Sequence, residues 1–124
     1  MLSTKPKFEV PANSRYKDRR SRKHPRFRAD FRVTVTFLAA SQYQTTEGLS
    51  RDLSQGGIGL LLAGELKCGE VVGLVFRLPG EEAWDVRAVV RHRHGYHYGF
   101  EFLGLGSERL AILKAYLSGL EKSD

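Results

Sequence analysis

Apolar and polar residues alternate along most of the chain from about residue 31 onward, as expected for β-strands that bury one face. In the clearest strand, Phe31 to Phe37, four large apolar side chains alternate with Arg and Thr. Five further strands are predicted at 43–52, 57–63, 71–77, 84–91 and 96–102. Residues typical of turns separate them. Six short strands favour a closed barrel, because closure removes exposed edges.

The last predicted strand and the tail complete this picture. In the last strand four aromatic residues are predicted to share the buried face, namely Tyr96, Tyr98, Phe100 and Phe102. Leucines then recur at helical spacing after Ser107, which predicts a helix over about residues 107–121 with Ser107 as its N-cap. The predicted fold is all-β with one C-terminal helix, in which a six-stranded antiparallel β-barrel is closed at one opening by that helix.

Length and composition exclude several classes of protein. The chain has 124 residues, 41% of them hydrophobic and 27% charged, which predicts one folded domain. Its single cysteine excludes an internal disulfide and a cysteine-based zinc site. The sequence has neither a signal peptide at residues 1–10 nor an apolar run long enough to span a membrane. We therefore expect a cytoplasmic protein without membrane insertion.

Positive charge is concentrated at the beginning of the chain. Residues 1–32 contain eleven Lys or Arg against three Asp or Glu, a net charge of +8, whereas residues 33–124 carry −2. Such density opposes compact folding, so residues 1–21 are predicted to form a flexible basic arm and residues 22–124 the barrel domain with its helix. The positive charge of the arm is suited to binding an anion. The alternative, a merely solubilising terminus, stays open.

The first segment with candidate chemistry is Arg22-Lys-His-Pro-Arg26. Pro25 favours extended backbone at His24, so the segment is not expected to be helical. A guanidinium group presents a rigid fork of donors that suits a phosphate or the O6 and N7 edge of guanine. The pattern alone is weak, because Arg15 to Arg19 and Arg28 to Arg32 have the same spacing.

The second segment is Asp52-Leu-Ser54-Gln-Gly-Gly57. An ionised carboxylate can accept hydrogen bonds from N1 and N2 of guanine side by side, a pair of donors that adenine lacks. Ser54 adds a hydroxyl, while Gly56 and Gly57 allow a sharp turn and a close approach to a base. The alternative interpretation is that Asp52 and Ser54 only hydrogen-bond their own backbone.

Together and in this order, the two segments resemble the signature of the PilZ domain family, R-x-x-x-R followed by [D/N]-x-S-x-x-G. The first lies just before the first clear strand and the second at the end of the next strand. Tyr98-Gly99-Phe100-Glu101-Phe102 is similar to that family's closing strand, and a predicted helix follows it. The resemblance covers about residues 20–120.

This resemblance implies a six-stranded barrel that binds the bacterial second messenger cyclic di-GMP. It implies a stand-alone receptor or adaptor whose arginine segment folds over the ligand and presents a new surface to an unidentified partner protein. The implied ligand-binding residues are Arg22, Arg26, Asp52, Ser54 and Gly57, with Arg19, Arg20 and Gly56 as secondary candidates. Ser21 occupies the place where many members that bind an intercalated ligand pair carry Arg, which leaves the stoichiometry open.

The sequence is also compatible with three other functions. A small basic barrel could bind single-stranded nucleic acid through its arm and aromatic residues, but the alternation of those aromatics argues for the core. A PilZ fold without ligand could act only as an interaction module. An enzyme is the third alternative, yet His92, His94 and His97 have no carboxylate at matching spacing and no catalytic arrangement is evident. We expect neither catalysis, nor a metal, nor a cofactor apart from the ligand.

Overall fold

The computed structural model of the protein describes residues 24–120 and the backbone of two residues near the C-terminus. These residues form eight strands and one helix. In chain order the elements are β1 (Arg26–Arg28), β2 (Arg32–Ala39), β3 (Gln42–Leu53), β4 (Gly57–Leu62), β5 (Val71–Arg77), β6 (Ala83–His94), β7 (His97–Leu103), α1 (Ser107–Leu117) and β8 (Lys122–Ser123).

Six antiparallel strands close into a barrel, in the order β2-β5-β6-β7-β4-β3 with β3 pairing back to β2. The twelve-residue strand β3 makes closure possible. One of its edges pairs with β4, and the other pairs with β2 along most of its length and with β1 at its end. The predicted six-stranded barrel with one C-terminal helix is thereby confirmed.

The barrel interior is filled by the apolar residues of the alternating pattern. Val33, Val35, Ile58 and Leu60 are fully buried, as expected for strands with one face toward a core. The helix α1 contributes Leu113 and Leu117 to the same core cluster, and both residues are buried. These leucines therefore belong to the core, as the sequence predicts.

Two predictions about aromatic and capping residues were wrong. Tyr96 lies in the β6–β7 turn and is 70% exposed, because the backbone reverses at Gly95 before the alternation of β7 begins. The other three aromatics of the predicted set are buried, so they offer no stacking surface to nucleic-acid bases. Ser107 is the first residue of α1 rather than its N-cap, which is Gly106 with φ of 89° and no side-chain cap.

Two short strands were not predicted. β1 contains Arg26 and pairs with the end of β3, and β8 pairs with the other edge of β1. β1 has three residues and β8 has two, which is too few for a detectable alternation of apolar and polar positions. Since the helix ends at Leu117 rather than near residue 121, the chain returns to the edge beside Arg26. None of the helices in the described part of the chain is both long and apolar enough to cross a membrane.

Candidate functional site

A row of four outward-facing residues crosses four neighbouring strands of the barrel. Asp52 of β3 pairs with Gly59 of β4, Gly59 pairs with Gly99 of β7, and Gly99 pairs with His92 of β6. The residues that flank the two glycines, such as Ile58 and Leu60, point into the core, so the glycines face outward. The two glycines have no side chains of their own, and side chains of neighbouring strands lie over them, Asp52 and His97 over Gly59 and His92 over Gly99.

The two predicted binding segments meet at one end of this row. Arg26 Nη1 donates a hydrogen bond of 2.9 Å to Asp52 Oδ1, and both side chains are less than one-fifth exposed. Asp52 therefore bonds the arginine segment rather than its own backbone. Among the described arginines with the R-x-x-x-R spacing, Arg26 is the one that forms an ion pair with Asp52.

Ser54 has a different role in the structure from that of Asp52. Its hydroxyl accepts hydrogen bonds from the backbone N–H groups of Gly56 (3.1 Å) and Gly57 (3.2 Å), and the residue is buried. Its own N–H donates to the carbonyl of Gly57 at 2.9 Å. Here the alternative interpretation holds, because the hydroxyl stabilises the turn between β3 and β4.

The glycines of this turn are required for close packing rather than for an unusual backbone angle. The chain does turn sharply between Leu53 and Ile58, as the sequence predicts, but neither Gly56 nor Gly57 has positive φ. A Cβ atom on Gly57 would collide with the carbonyl oxygen of Phe100, and one on Gly56 would lie 3.1 Å from the His24 ring. Gly57 thus allows β7 to approach β4, and Gly56 leaves space for His24.

An open cavity of about 400 Å³ lies beside the Arg26–Asp52 pair. Its lining includes Arg26, Ser54, Gly56 and Gly57. Asp52 is not one of the lining residues, but it forms the ion pair with Arg26, which is. The other residues of the lining come from the segment before β1 and from β6 and β7, namely His24, Arg91, His92, Gly99, Phe100 and Glu101. The cavity combines cationic, carboxylate and imidazole groups with exposed backbone.

His97 lies next to Asp52 on the site surface. A Cβ on Gly59 would lie 2.6 Å from Asp52 Oδ1 and 3.0 Å from His97 Nε2, so both side chains lean over that glycine. Burial lowers the pKa of His97 below its ordinary value, and the charge of Asp52 opposes this only in part. His97 is therefore biased toward its neutral form.

Three of the predicted site residues lie outside the described part of the chain. These are Arg22 and the secondary candidates Arg19 and Arg20, together with the whole predicted arm. Within residues 24–120, no three His, Cys, Asp or Glu side chains come close enough together to hold a metal ion.

The sequence also matches a known family. A sequence model of the PilZ domain matches residues 20–119. The chain belongs to the PilZ domain family. No curated protein matches the chain.

Solved PilZ structures share the fold. The PilZ domain of YcgR from Escherichia coli, solved with c-di-GMP, matches with a TM-score of 0.63 and 20% identity, covering 81% of this chain and 91% of that one. The PilZ domain of CeSA from a cellulose-synthesizing bacterium matches with a TM-score of 0.60 and 20% identity, covering 76% and 95%. The inhibitor of motility MotI/DgrA from Bacillus subtilis matches with a TM-score of 0.64 and 25% identity, covering 78% of this chain and 49% of that chain.

Several residues of this PilZ site were not among the predicted site residues. His24, His92 and His97 lie on or beside the cavity; His24 is one of the unspecified positions between Arg22 and Arg26, and the other two lie outside both signature segments. In the sequence alone, His92 and His97 indicate at most a candidate metal site. A signal was present in the sequence, because Gly59 and Gly99 are glycines within predicted strands, where a missing side chain leaves room for neighbouring groups.

Proposed function

We propose that this PilZ domain binds cyclic di-GMP and acts as a receptor without catalytic activity. The observation that supports this most is the Arg26–Asp52 ion pair beside the cavity, which joins the two signature segments in space. The YcgR domain that shares the fold was solved with c-di-GMP. Arginine and carboxylate together suit a ligand with both phosphates and guanine bases.

Each described residue has a distinct part in the proposal. The Arg26 guanidinium holds a phosphate or the O6 and N7 edge of guanine. The Asp52 carboxylate accepts from guanine N1 and N2, since the bond from Arg26 uses only one of its roughly four acceptor positions. Ser54 lines the cavity while its hydroxyl holds the turn, and Gly56 and Gly57 keep the backbone accessible.

The arm supplies further positive charge in this proposal. Arg22 contacts the ligand together with Arg26, and Arg19 and Arg20 contribute charge from further along the arm. Neutralising two phosphates favours folding of the basic segment onto the barrel, and the ordering cost reduces the net affinity. We therefore expect a dissociation constant of about one micromolar or somewhat below.

The output of binding is a changed surface in the bacterial cytoplasm. Once arm and ligand cover the cavity, a partner protein meets a surface that the ligand-free protein does not present. An inhibitor of motility is among the proteins with similar folds, which is consistent with action through a partner. The partner is a downstream protein whose identity the proposal leaves open.

Isothermal titration calorimetry tests this proposal directly. Wild-type protein is titrated with cyclic di-GMP, and with GTP and cyclic di-AMP as ligand controls. Arg22→Ala and Asp52→Ala should each weaken cyclic di-GMP binding at least about tenfold, since a hydrogen bond to a charged group is worth roughly 1.5–3 kcal/mol. Asp85→Ala, which removes an exposed carboxylate from β6 away from the cavity, should leave the affinity unchanged.

The outcomes separate the parts of the proposal. Absence of heat with cyclic di-GMP for the wild type would contradict the receptor function. Equal affinities of wild type, Arg22→Ala and Asp52→Ala would contradict the binding site. Equal affinity for cyclic di-AMP would contradict the guanine-selective role of Asp52, because adenine lacks the paired N1 and N2 donors.

A further inference from the structure

The histidine at the far end of the four-residue row mirrors Asp52 in its backbone setting. The register of β3 shifts between Ser50 and Asp52, and that of β6 shifts between Val90 and His92. Each residue therefore directly follows a β-bulge, and each pairs with a glycine on the neighbouring strand. Bulges redirect side chains and are enriched beside binding sites. The two bulges thus direct a carboxylate and an imidazole toward the same pair of neighbouring glycines, Gly59 and Gly99.

The side chains of Asp52 and His92 lie over these two glycines. A Cβ on Gly59 would lie 2.6 Å from Asp52 Oδ1, and a Cβ on Gly99 would collide with the imidazole of His92. Since Gly59 and Gly99 pair directly, their outward positions lie on the order of 5 Å apart. The carboxylate and the imidazole are thus separated by roughly one strand spacing, and His92 lines the cavity.

We propose that His92 is a further ligand-contacting residue, whose imidazole stacks on the guanine base that Asp52 holds by its edge. This inference rests on the proposed function and adds a contact that neither signature segment contains. The rings of His97 and His92 lie over Gly59 and Gly99, so a guanine whose N1 and N2 edge meets Asp52 lies over these rings and contacts the His92 imidazole where it lines the cavity. Stacking of bases on flat side chains is a common means of nucleotide binding.

Two substitutions and a matched control test the contact by calorimetry with cyclic di-GMP. His92→Ala should weaken binding about 5- to 100-fold, the range for loss of one base–aromatic stack. His92→Phe should retain affinity within about fivefold of wild type, because it keeps a flat ring. His94→Ala, on the same strand and outside the cavity lining, should bind like the wild type.

A spectroscopic measurement on the wild-type protein makes the test independent of the stability of the variants. Stacking on a purine should move the ring-proton resonances of His92 upfield by ring current during the titration, with His92→Ala used to assign them. Unchanged affinity of His92→Ala, no upfield shift at saturation, or a His92→Phe variant no better than His92→Ala would each overturn the inference. Wild-type binding that persists in those cases leaves the proposed function intact, whereas absence of wild-type binding overturns both.

Discussion

The barrel has two outer walls that differ in backbone regularity and in side-chain cover. The site wall is formed by the outer faces of β3, β4, β7 and β6 around Gly57, Gly59 and Gly99. It contains both register shifts, and polar side chains from neighbouring strands lie over Gly59 and Gly99. The opposite wall, formed by β2, β5 and the first half of β6, keeps regular register throughout. Its middle is covered by side chains such as Thr36 and Val75.

This difference shows how one barrel serves two purposes. On the opposite wall, paired side chains over a regular ladder stabilise the sheet. On the site wall, the glycines leave room for the side chains of Asp52, His92 and His97, two of which directly follow a bulge. All four histidines of the chain lie on the site wall or next to it, at positions 24, 92, 94 and 97. Binding chemistry is therefore concentrated where the sheet is least regular.

The largest effect is expected from filling a glycine on the site wall. In Gly57→Ala the new methyl group collides with the carbonyl oxygen of Phe100, which is backbone and cannot rotate away. We expect the free energy of unfolding to fall by about 3 kcal/mol, as for overpacked buried positions. Urea denaturation followed by circular dichroism measures the change.

Gly73→Ala on the opposite wall is the matched control. There a Cβ would meet Asp85 Oδ1 at 3.6 Å and Thr36 Cβ at 3.7 Å, which are ordinary contacts. We expect unchanged stability or a gain of up to about 1 kcal/mol, because alanine loses less entropy on folding than glycine. Similar losses in both variants would show that the two walls tolerate side chains equally, contrary to the comparison.

The glycines illustrate what could be predicted from the sequence and what could not. The alternation of apolar residues predicted the six barrel strands. It could not predict that Gly57 lies against the carbonyl of Phe100, since that contact depends on how closely two distant strands pack. The sharp turn at these glycines could thus be predicted, whereas the steric requirement at Gly57 could not.

The candidate site was likewise predicted in part, its two signature segments but not the histidines near them. The order of the signature segments pointed to Asp52 and Arg26, which the barrel brings within hydrogen-bonding distance. The positions of His92 and His97 depend on strand register and on a bulge, and neither has a signal in a single sequence. Ser50 is a second example. Its buried hydroxyl donates to the carbonyl of Ala29 and accepts from the N–H of Phe31, and so fixes the bend between β1 and β2.

An intermediate effect, on binding rather than on stability, is expected at Gly59. In Gly59→Ala the new Cβ lies 2.6 Å from Asp52 Oδ1 and 3.0 Å from His97 Nε2, and both of these groups can rotate away. The free energy of unfolding should fall by less than about 1 kcal/mol. The displaced carboxylate no longer meets the ligand, so affinity for cyclic di-GMP should fall at least about tenfold, or about 1.4 kcal/mol, by calorimetry.

Gly64→Ala serves as the control for this variant. Gly64 follows β4, and a Cβ there would lie 3.6 Å from the nearest atom, a methyl group of Thr46. Its affinity should equal that of the wild type. If Gly59→Ala also binds like the wild type, the position of the Asp52 carboxylate over Gly59 is not required for binding.

The smallest effect is expected from the protonation of His97. Because the pKa of His97 is lower in the folded protein than its ordinary value of 6.5, the unfolded chain binds more protons below that pH. The stabilisation by neutral His97 is thus complete above pH 6.5 and is lost as the pH falls toward and through the folded-state pKa. In His97→Gln, which does not titrate, the free energy of unfolding should fall less steeply below pH 6.5 than in the wild type. Urea denaturation at pH 7.5, 6.5 and 5.5 measures the slopes, and parallel curves for the two proteins would show that burial of His97 on the site wall has no energetic consequence.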